Sequence, residues 1–240
     1  MGLAMRWSQV LFTQGFGTRR ECAGLLGGGY LRHAGKVVDE DADVDTEGLE
    51  FEVEGRTWPF HETALILLHK PAGYECSRKP RHHPGVLTLL PPPLRTRGVQ
   101  PVGRLDEDTT GLLLLTDDGT LIHRLTSPRH HVPKVYEVGC RHELDDTQVR
   151  RLLDGVVLDD DPAPVRAAAA SIAGPKHLRL TLTEGKYHQV KRMVAAVGNR
   201  VDTLHRSAFG RLALDGVAQP GAWRWVQAAE RAALMTAPAP

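Results

Sequence analysis

Asp106 lies in a glycine-bounded run that gives its carboxylate a defined place in the chain. The run covers residues 103–111 and has glycine at both ends; four leucines and a Thr-Asp-Asp-Gly turn follow it. A short apolar run that ends at a turn indicates a buried strand. Asp106 therefore stands on a loop directly before that strand. A carboxylate there can take part in chemistry on a substrate that lies against the sheet.

The same residue types are also compatible with two other kinds of site. Asp106 and Asp108 could form the carboxylate pair of a glycosidase, but neighbours two apart on one loop need not flank one bond. The pairs His82-His83 and His130-His131 suggest a metal site. Adjacent histidines, however, do not match the separated ligand spacings of common zinc sites. The chain also lacks a phosphate-cradling loop and a dinucleotide fingerprint. The sequence therefore predicts neither a metal nor a cofactor.

The composition is that of a soluble globular protein. Of the 240 residues, 41% are hydrophobic and 25% are charged, which are ordinary fractions. No apolar run is long enough to span a membrane, and the N-terminus lacks a secretory signal. The three cysteines are far apart, which is more typical of a reducing cytoplasm than of a disulfide framework. These features predict a cytoplasmic location.

The distribution of charge points to a polyanionic partner. The net charge is only +1, but basic side chains concentrate in three windows, residues 69–84, 123–134 and 176–211. Local basic stripes in an otherwise neutral protein are the expected footprint of a phosphate backbone. Each window taken alone could be a solvated face.

The elements that must position Asp106 form two predicted domains. Residues 1–58 contain two short helices, a hairpin and a strand, and residues 55–61 read as a linker. Residues 63–234 contain several strands and a few helices, and the prolines at 91–93 indicate a loop. Many strands without strict β-α alternation indicate an α+β protein with a mixed sheet.

Four motifs in order resemble a known family. They are residues 69–77, the run 103–119 around Asp106, residues 127–136 and residues 184–193. Together they resemble the ribosomal small-subunit pseudouridine synthase family over about residues 64–232. The histidine-rich forms of the last two motifs are most similar to the 16S (small-subunit) rRNA branch. The resemblance implies a mixed, mainly antiparallel sheet in the catalytic domain.

The resemblance also implies roles in catalysis. Asp106 would be the catalytic carboxylate, as nucleophile or as base, with Lys191 as the cation that keeps it charged; Arg192 is the neighbouring alternative. Arg104 would steady the Asp106 loop or fill the space of the flipped nucleotide. Tyr136 would stack on the uracil, with Val190 packed beneath it.

Residues 1–58 resemble the small RNA-binding module of ribosomal protein S-four, and the resemblance implies an RNA-binding surface on both domains. In the first domain the candidate residues are Arg19, Arg20, Arg32 and Lys36. In the second domain they are Lys70, Arg129, His130, Lys134, His188, Gln189 and Arg192.

The resemblance implies a monomeric, cofactor-free isomerase. Its partner would be small-subunit rRNA or the assembling ribonucleoprotein particle, with no role for a membrane. Two alternatives stay open: a related enzyme for large-subunit rRNA, and a non-enzymatic RNA-binding assembly factor that kept the fold.

Overall fold

The computed structural model describes residues 3–77, 79–159 and 161–235 and divides into two compact units. Unit 1 comprises the residues up to Ala64 together with Leu87–Gln100. Unit 2 comprises Leu65–Val86 together with the residues from Pro101 onward. The sequence predicted domains of residues 1–58 and 63–234, and did not anticipate that a segment near residue 90 returns to the first unit.

Unit 1 is a small α/β fold around one apolar core. Its core contains Trp7, Val10, Leu11, Leu31 and Phe51. A capping box begins the second helix, because Thr18 accepts from the Glu21 backbone N–H and the Glu21 carboxylate accepts from the Thr18 backbone N–H. The elements are β1 (Ala4–Arg6), α1 (Trp7–Thr13), α2 (Arg19–Gly27), β2 (Leu31–His33), β3 (Lys36–Val37), β4 (Asp43–Asp45), β5 (Glu50–Val53), β6 (Arg56–Pro59) and α3 (Pro92–Thr96).

Two predictions for this unit were wrong. The segment read as a linker contains β6, which pairs with β5 in an antiparallel hairpin. Glu54 and Gly55 both have positive φ, at 50° and 79°, which is what a two-residue hairpin turn requires. The prolines read as a loop begin α3, with Pro91 as its N-cap. Proline is tolerated there because the first helical N–H groups have no intrahelical partner.

Unit 2 is built on a large mixed sheet. From Leu65 onward the elements are β7 (Leu65–Lys70), β8 (Gln100–Pro101), β9 (Thr110–Thr116), α4 (Gly119–Thr126), β10 (Lys134–Cys140), α5 (Asp146–Asp154), β11 (Val156–Leu158), β12 (Asp161–Val165), β13 (Ala169–Gly174), β14 (His177–Leu182), α6 (Gln189–Ala196), β15 (Val201–Phe209), β16 (Leu212–Ala213), β17 (Trp223–Trp225) and α7 (Ala228–Met235). Two short 3₁₀ turns lie at Val86–Leu89 and Pro128–His130. No helix in the described ranges is long and apolar enough to cross a membrane.

The strand order brings the predicted site together. The main path of the sheet runs β13-β14-β10-β15-β9-β7-β17. Neighbouring strands are antiparallel except β15 and β9, which are parallel. Asp106 precedes β9 and Tyr136 lies on β10, so β15 alone separates their strands. The predicted α+β class with a mixed, mainly antiparallel sheet is confirmed.

Candidate active site

The loop that carries Asp106 is tied to the neighbouring strand by Lys70. This side chain is 0% exposed. Its ammonium donates to the carbonyl oxygens of Pro71 at 3.0 Å, Glu107 at 3.0 Å and Thr109 at 2.8 Å. Burial lowers the pKa of Lys70, and nearby acidic groups oppose this effect in part. The prediction that Lys70 contacts RNA is wrong, because its ammonium is enclosed and holds backbone carbonyls on both sides of Asp108.

Gly111 lets the two parallel strands approach closely at the end of this loop. Its φ is +109°, and an added Cβ would overlap the backbone of Arg206 on β15. Arg206 and Gly111 are direct partners in the parallel pair. The glycine that bounds the Asp106 run therefore has a packing reason as well as a conformational one.

Two side chains from the segment around α6 approach the Asp106 carboxylate. The Lys191 ammonium lies 3.4 Å from Asp106 Oδ2, and His188 Nε2 lies 3.3 Å from Asp106 Oδ1. His188 has a left-handed backbone at the start of α6, and its ring stacks on Tyr187 at 3.8 Å between centroids. His188 was predicted only as an RNA contact, so its place beside the carboxylate is a finding of the structure.

Asp108 holds Lys191 more closely than Asp106 does. The Lys191 ammonium donates to both carboxylate oxygens of Asp108, at 2.7 and 2.8 Å. Burial lowers the pKa of Lys191, but the hydrogen bond to Asp108 and the charges of both aspartates outweigh it and raise this pKa above its ordinary value. Burial likewise raises the pKa of Asp108, yet Lys191 brings it below its usual range. Lys191 therefore remains charged, shared between two carboxylates.

A cavity of about 900 Å³ opens beside Asp106. Tyr136, which is buried on β10, lines it together with Asp106 and His188. Arg104 also lines it with an exposed side chain. Among the residues that the structure describes, the Arg104 guanidinium takes part in no hydrogen bond or ion pair. The Asp106 loop is instead held by Lys70. Val190 is buried and lines an adjoining smaller cavity with Tyr136.

Gln189 is a second RNA-contact prediction that the structure contradicts. It is 4% exposed. Its amide donates to Glu184 Oε1 at 3.0 Å, and its carbonyl oxygen accepts from the Lys186 backbone N–H at 2.8 Å. Both polar atoms of the side chain are engaged in shaping the loop before α6, because a buried amide needs partners.

The other predicted RNA contacts are on the surface or in the cavity. Arg192 is half-buried and donates to the Tyr187 carbonyl at 3.1 Å. Lys134 is buried and lines the cavity. The remaining six are exposed: in unit 1 these are Arg19, Arg20, Arg32 and Lys36, and in unit 2 they are Arg129 and His130.

One organising residue was missed entirely. The Glu75 carboxylate accepts backbone N–H bonds from Arg81, His82 and His83, at 3.1, 2.9 and 3.0 Å. These hydrogen bonds lower the pKa of Glu75. Part of this basic loop lines the same cavity as Asp106. The first basic window marked the loop, but no sequence pattern indicated that one carboxylate gathers its backbone. Within the described ranges no group of three or more metal-ligating side chains is found.

Comparisons with known proteins show which proteins this chain is similar to. The sequence profile for RNA pseudouridylate synthase matches residues 64–196. The chain is 47% identical over 159 residues to ribosomal small subunit pseudouridine synthase A of Yersinia pestis, covering 66% of this chain and 67% of that protein. A Bacillus subtilis (strain 168) protein described as an uncharacterized RNA pseudouridine synthase is 38% identical over 227 residues, covering 92% of this chain and 94% of that one. The crystal structure of a pseudouridylate synthase is similar at a TM-score of 0.69 and 32% identity, covering 96% and 99% of the two chains.

Proposed function

The chain belongs to the RNA pseudouridylate synthase family, and on that premise we propose that it converts one uridine of small-subunit rRNA to pseudouridine with Asp106 as its catalytic carboxylate. The observation that carries the proposal is the position of Asp106, on an anchored loop between Lys191 and His188 and at the edge of a cavity that Tyr136 lines.

The reaction explains why these residue types are needed. The bond between N1 and C1′ breaks, the base turns over, and C5 joins C1′. Asp106 either attacks C1′ as a nucleophile or removes a proton from the sugar. Either role uses the ionised carboxylate, and the Lys191 ammonium lies 3.4 Å from one of its oxygens.

The cavity supplies the room for a base that has left its stack. Chemistry on a nucleotide in structured RNA requires its extrusion from the helix. Tyr136 offers an aromatic face on which uracil stacks, a contact worth about 1–3 kcal/mol, and Val190 supports the same region. The exposed Arg104 guanidinium, on the rim beside Asp106, fills the space that the extruded nucleotide leaves.

Replacing Lys191 tests the electrostatic part of this mechanism. We expect Lys191→Met to lower kcat by about 10²-fold, because a preorganised charge beside the reacting carboxylate is lost. Asp108→Asn is the matched control, because it keeps the Lys191 ammonium and removes only the other carboxylate that binds it. The decrease in kcat should therefore be smaller for Asp108→Asn than for Lys191→Met. Single-turnover kinetics on the same RNA measures both. Wild-type turnover by Lys191→Met would remove Lys191 from the mechanism.

The choice of small-subunit rRNA rests on the relatives. The Yersinia pestis and Escherichia coli (strain K12) proteins, at 47% and 44% identity, are both small-subunit pseudouridine synthases by name. Unit 1 then serves as the RNA-binding domain, through Arg19, Arg20, Arg32 and Lys36. The exposed Arg129 and His130 of unit 2 add phosphate contacts. We further propose that the substrate is the assembling small-subunit ribonucleoprotein particle. The enzyme acts on it as a monomer, in the cytoplasm.

The substrate is tested by tritium release from uridine labelled at C5. Three substrates are compared: free small-subunit rRNA, assembling small-subunit particles, and large-subunit rRNA. We expect release from the small-subunit substrates, fastest from particles, and none from large-subunit rRNA. Tritium release from large-subunit rRNA alone would show that the substrate is large-subunit rRNA and that the proposed substrate is wrong. Tight RNA binding with no release from any of the three would favour an assembly factor.

A further inference from the structure

Two buried cations line the catalytic cavity and have no role in the mechanism so far. Lys134 begins β10 and is 8% exposed; Arg206 lies on β15 and is 2% exposed. Arg206 is the direct strand partner of Tyr136. Both side chains line the cavity that contains Asp106 and Tyr136. Buried Lys and Arg side chains are rare without a partner group, so this pair needs an explanation.

The contacts of the two groups leave donor capacity unused. The Lys134 ammonium donates to the Val132 carbonyl at 3.0 Å. Arg206 Nε donates to the Leu112 carbonyl at 2.8 Å, while Arg206 Nη2 is buried and has no hydrogen-bond partner in the described part of the chain. The Phe209 ring lies next to both, with its centroid 5.5 Å from Lys134 Nζ and 5.2 Å from Arg206 Cζ.

No carboxylate neutralises this pair by direct contact within the described ranges. Burial, together with the charge of Arg206, lowers the pKa of Lys134 to about 8, although Glu184 opposes the change. Two buried like charges are unfavourable unless acceptors or an anion share the site. A ligand with oxygen acceptors and negative charge would therefore be bound strongly here.

We propose that Lys134 and Arg206 form a donor pair for the carbonyl oxygens of the target uracil and stabilise the negative charge that the base carries after it leaves the sugar. This inference rests on the proposed function, since it assigns a further role within the same reaction. Donors aimed at the place where charge develops are among the strongest sources of rate enhancement.

The charge on the base follows from the bonding changes. When the N1–C1′ bond breaks, its electron pair stays on N1 and spreads to the two carbonyl oxygens. C1′ forms a bond to Asp106, or its sugar loses a proton to Asp106. The ring then forms the C5–C1′ bond; in the same step the bond between C1′ and Asp106 breaks, or the sugar takes its proton back from Asp106. C5 finally loses its proton and N1 gains one. The product is an isomer of the substrate, so the donor pair contacts the uracil carbonyl oxygens throughout and acts most strongly while the base is detached and negatively charged.

A pH dependence follows from the state of Lys134. Only the ammonium form donates strongly to an anionic base, and its fraction falls as the pH rises through about 8. The value of kcat/KM should therefore decline above that pH in the wild type. Arginine keeps its proton throughout this range, so Lys134→Arg should retain activity and lose the decline.

The experiment compares Lys134→Met, Lys134→Arg and Arg150→Met. Arg150 is an exposed residue on α5 that does not line the cavity, and its variant controls for the loss of one positive charge. We expect Lys134→Met to lower kcat by about 10²-fold at a temperature at which the variant is fully folded, and Arg150→Met to match the wild type. Unchanged kcat in Lys134→Met, or a wild-type alkaline decline in Lys134→Arg, would overturn the proposal.

A second measurement separates contact with the base from contact with a phosphate. Binding is compared for RNA with uridine at the target position and for the same RNA with an abasic sugar there. We expect Lys134→Met to weaken binding of the uridine RNA only. Equal weakening of both RNAs would assign the pair to a phosphate and overturn the role in charge stabilisation. If the wild type itself does not turn over, the proposed function fails, which is a different outcome.

Discussion

Replacement of Asp106 with asparagine is expected to reduce tritium release from C5-labelled rRNA by at least about 10³-fold. Asparagine has the shape of aspartate but neither its charge nor its nucleophilic oxygen. The loop should keep its position, because Lys70 holds it through the backbone carbonyls of Glu107 and Thr109. The loss should therefore fall on kcat, with RNA affinity close to that of the wild type.

Asp108→Asn is the appropriate comparison for this variant. It removes a carboxylate two residues away that binds the same lysine, so it controls for the loss of one negative charge from the loop. We expect it to retain far more turnover than Asp106→Asn. Full isomerisation by Asp106→Asn, or equal losses in the two variants, would contradict the assignment of Asp106.

Replacement of Lys70 with methionine is expected to damage both stability and activity. Methionine fills most of the same volume but removes the ammonium donor from the carbonyl oxygens of Pro71 and Thr109. The Glu107 carbonyl keeps its second donor, the Gly73 backbone N–H. Each unsatisfied buried group costs about 1–3 kcal/mol, and relaxation of the loop recovers part of that cost. We expect the free energy of unfolding to fall by about 3 kcal/mol. We also expect kcat to fall by about 10²-fold, because the Asp106 carboxylate shifts from its productive position.

Denaturant unfolding and single-turnover kinetics measure the two effects in one preparation. Arg150→Met is the control, because this residue is exposed on α5 and does not line the cavity. If Lys70→Met kept the wild-type stability and lost only RNA affinity, Lys70 would be a substrate contact after all, and the anchoring role would be wrong.

The elements that could be predicted from the sequence are those whose signals come from residues close together in the chain. Helix α2 was predictable because Thr18 and Glu21 form a capping box three residues apart. Strand β14 was predictable because its leucines alternate with polar residues, and the structure buries Leu178, Leu180 and Leu182. Such patterns depend only on near neighbours in the chain.

The wrong predictions concern residues whose contacts lie far away in the sequence. Lys70 and Gln189 look like surface residues in the sequence, and their burial depends on elements far away in the chain. Lys70 reaches a carbonyl 39 residues further on, and nothing near it in sequence announces that partner. The link between Lys191 and Asp108 spans 83 residues. Resemblance to a family brought Asp106 and Lys191 together, but it did not indicate that a second aspartate would hold the lysine more closely.

The return of residues 87–100 to unit 1 limits how the protein can be divided. Within that unit the Arg97 guanidinium donates to Gln14 Oε1 and to the His61 carbonyl, both at 2.6 Å, and Leu94 is buried. A fragment that started near residue 63 would carry this stretch without its partners. Removal of unit 1 therefore requires two changes to the sequence, in the laboratory or in evolution. The N-terminal residues must be deleted, and residues 87–100 must be shortened or substituted as well.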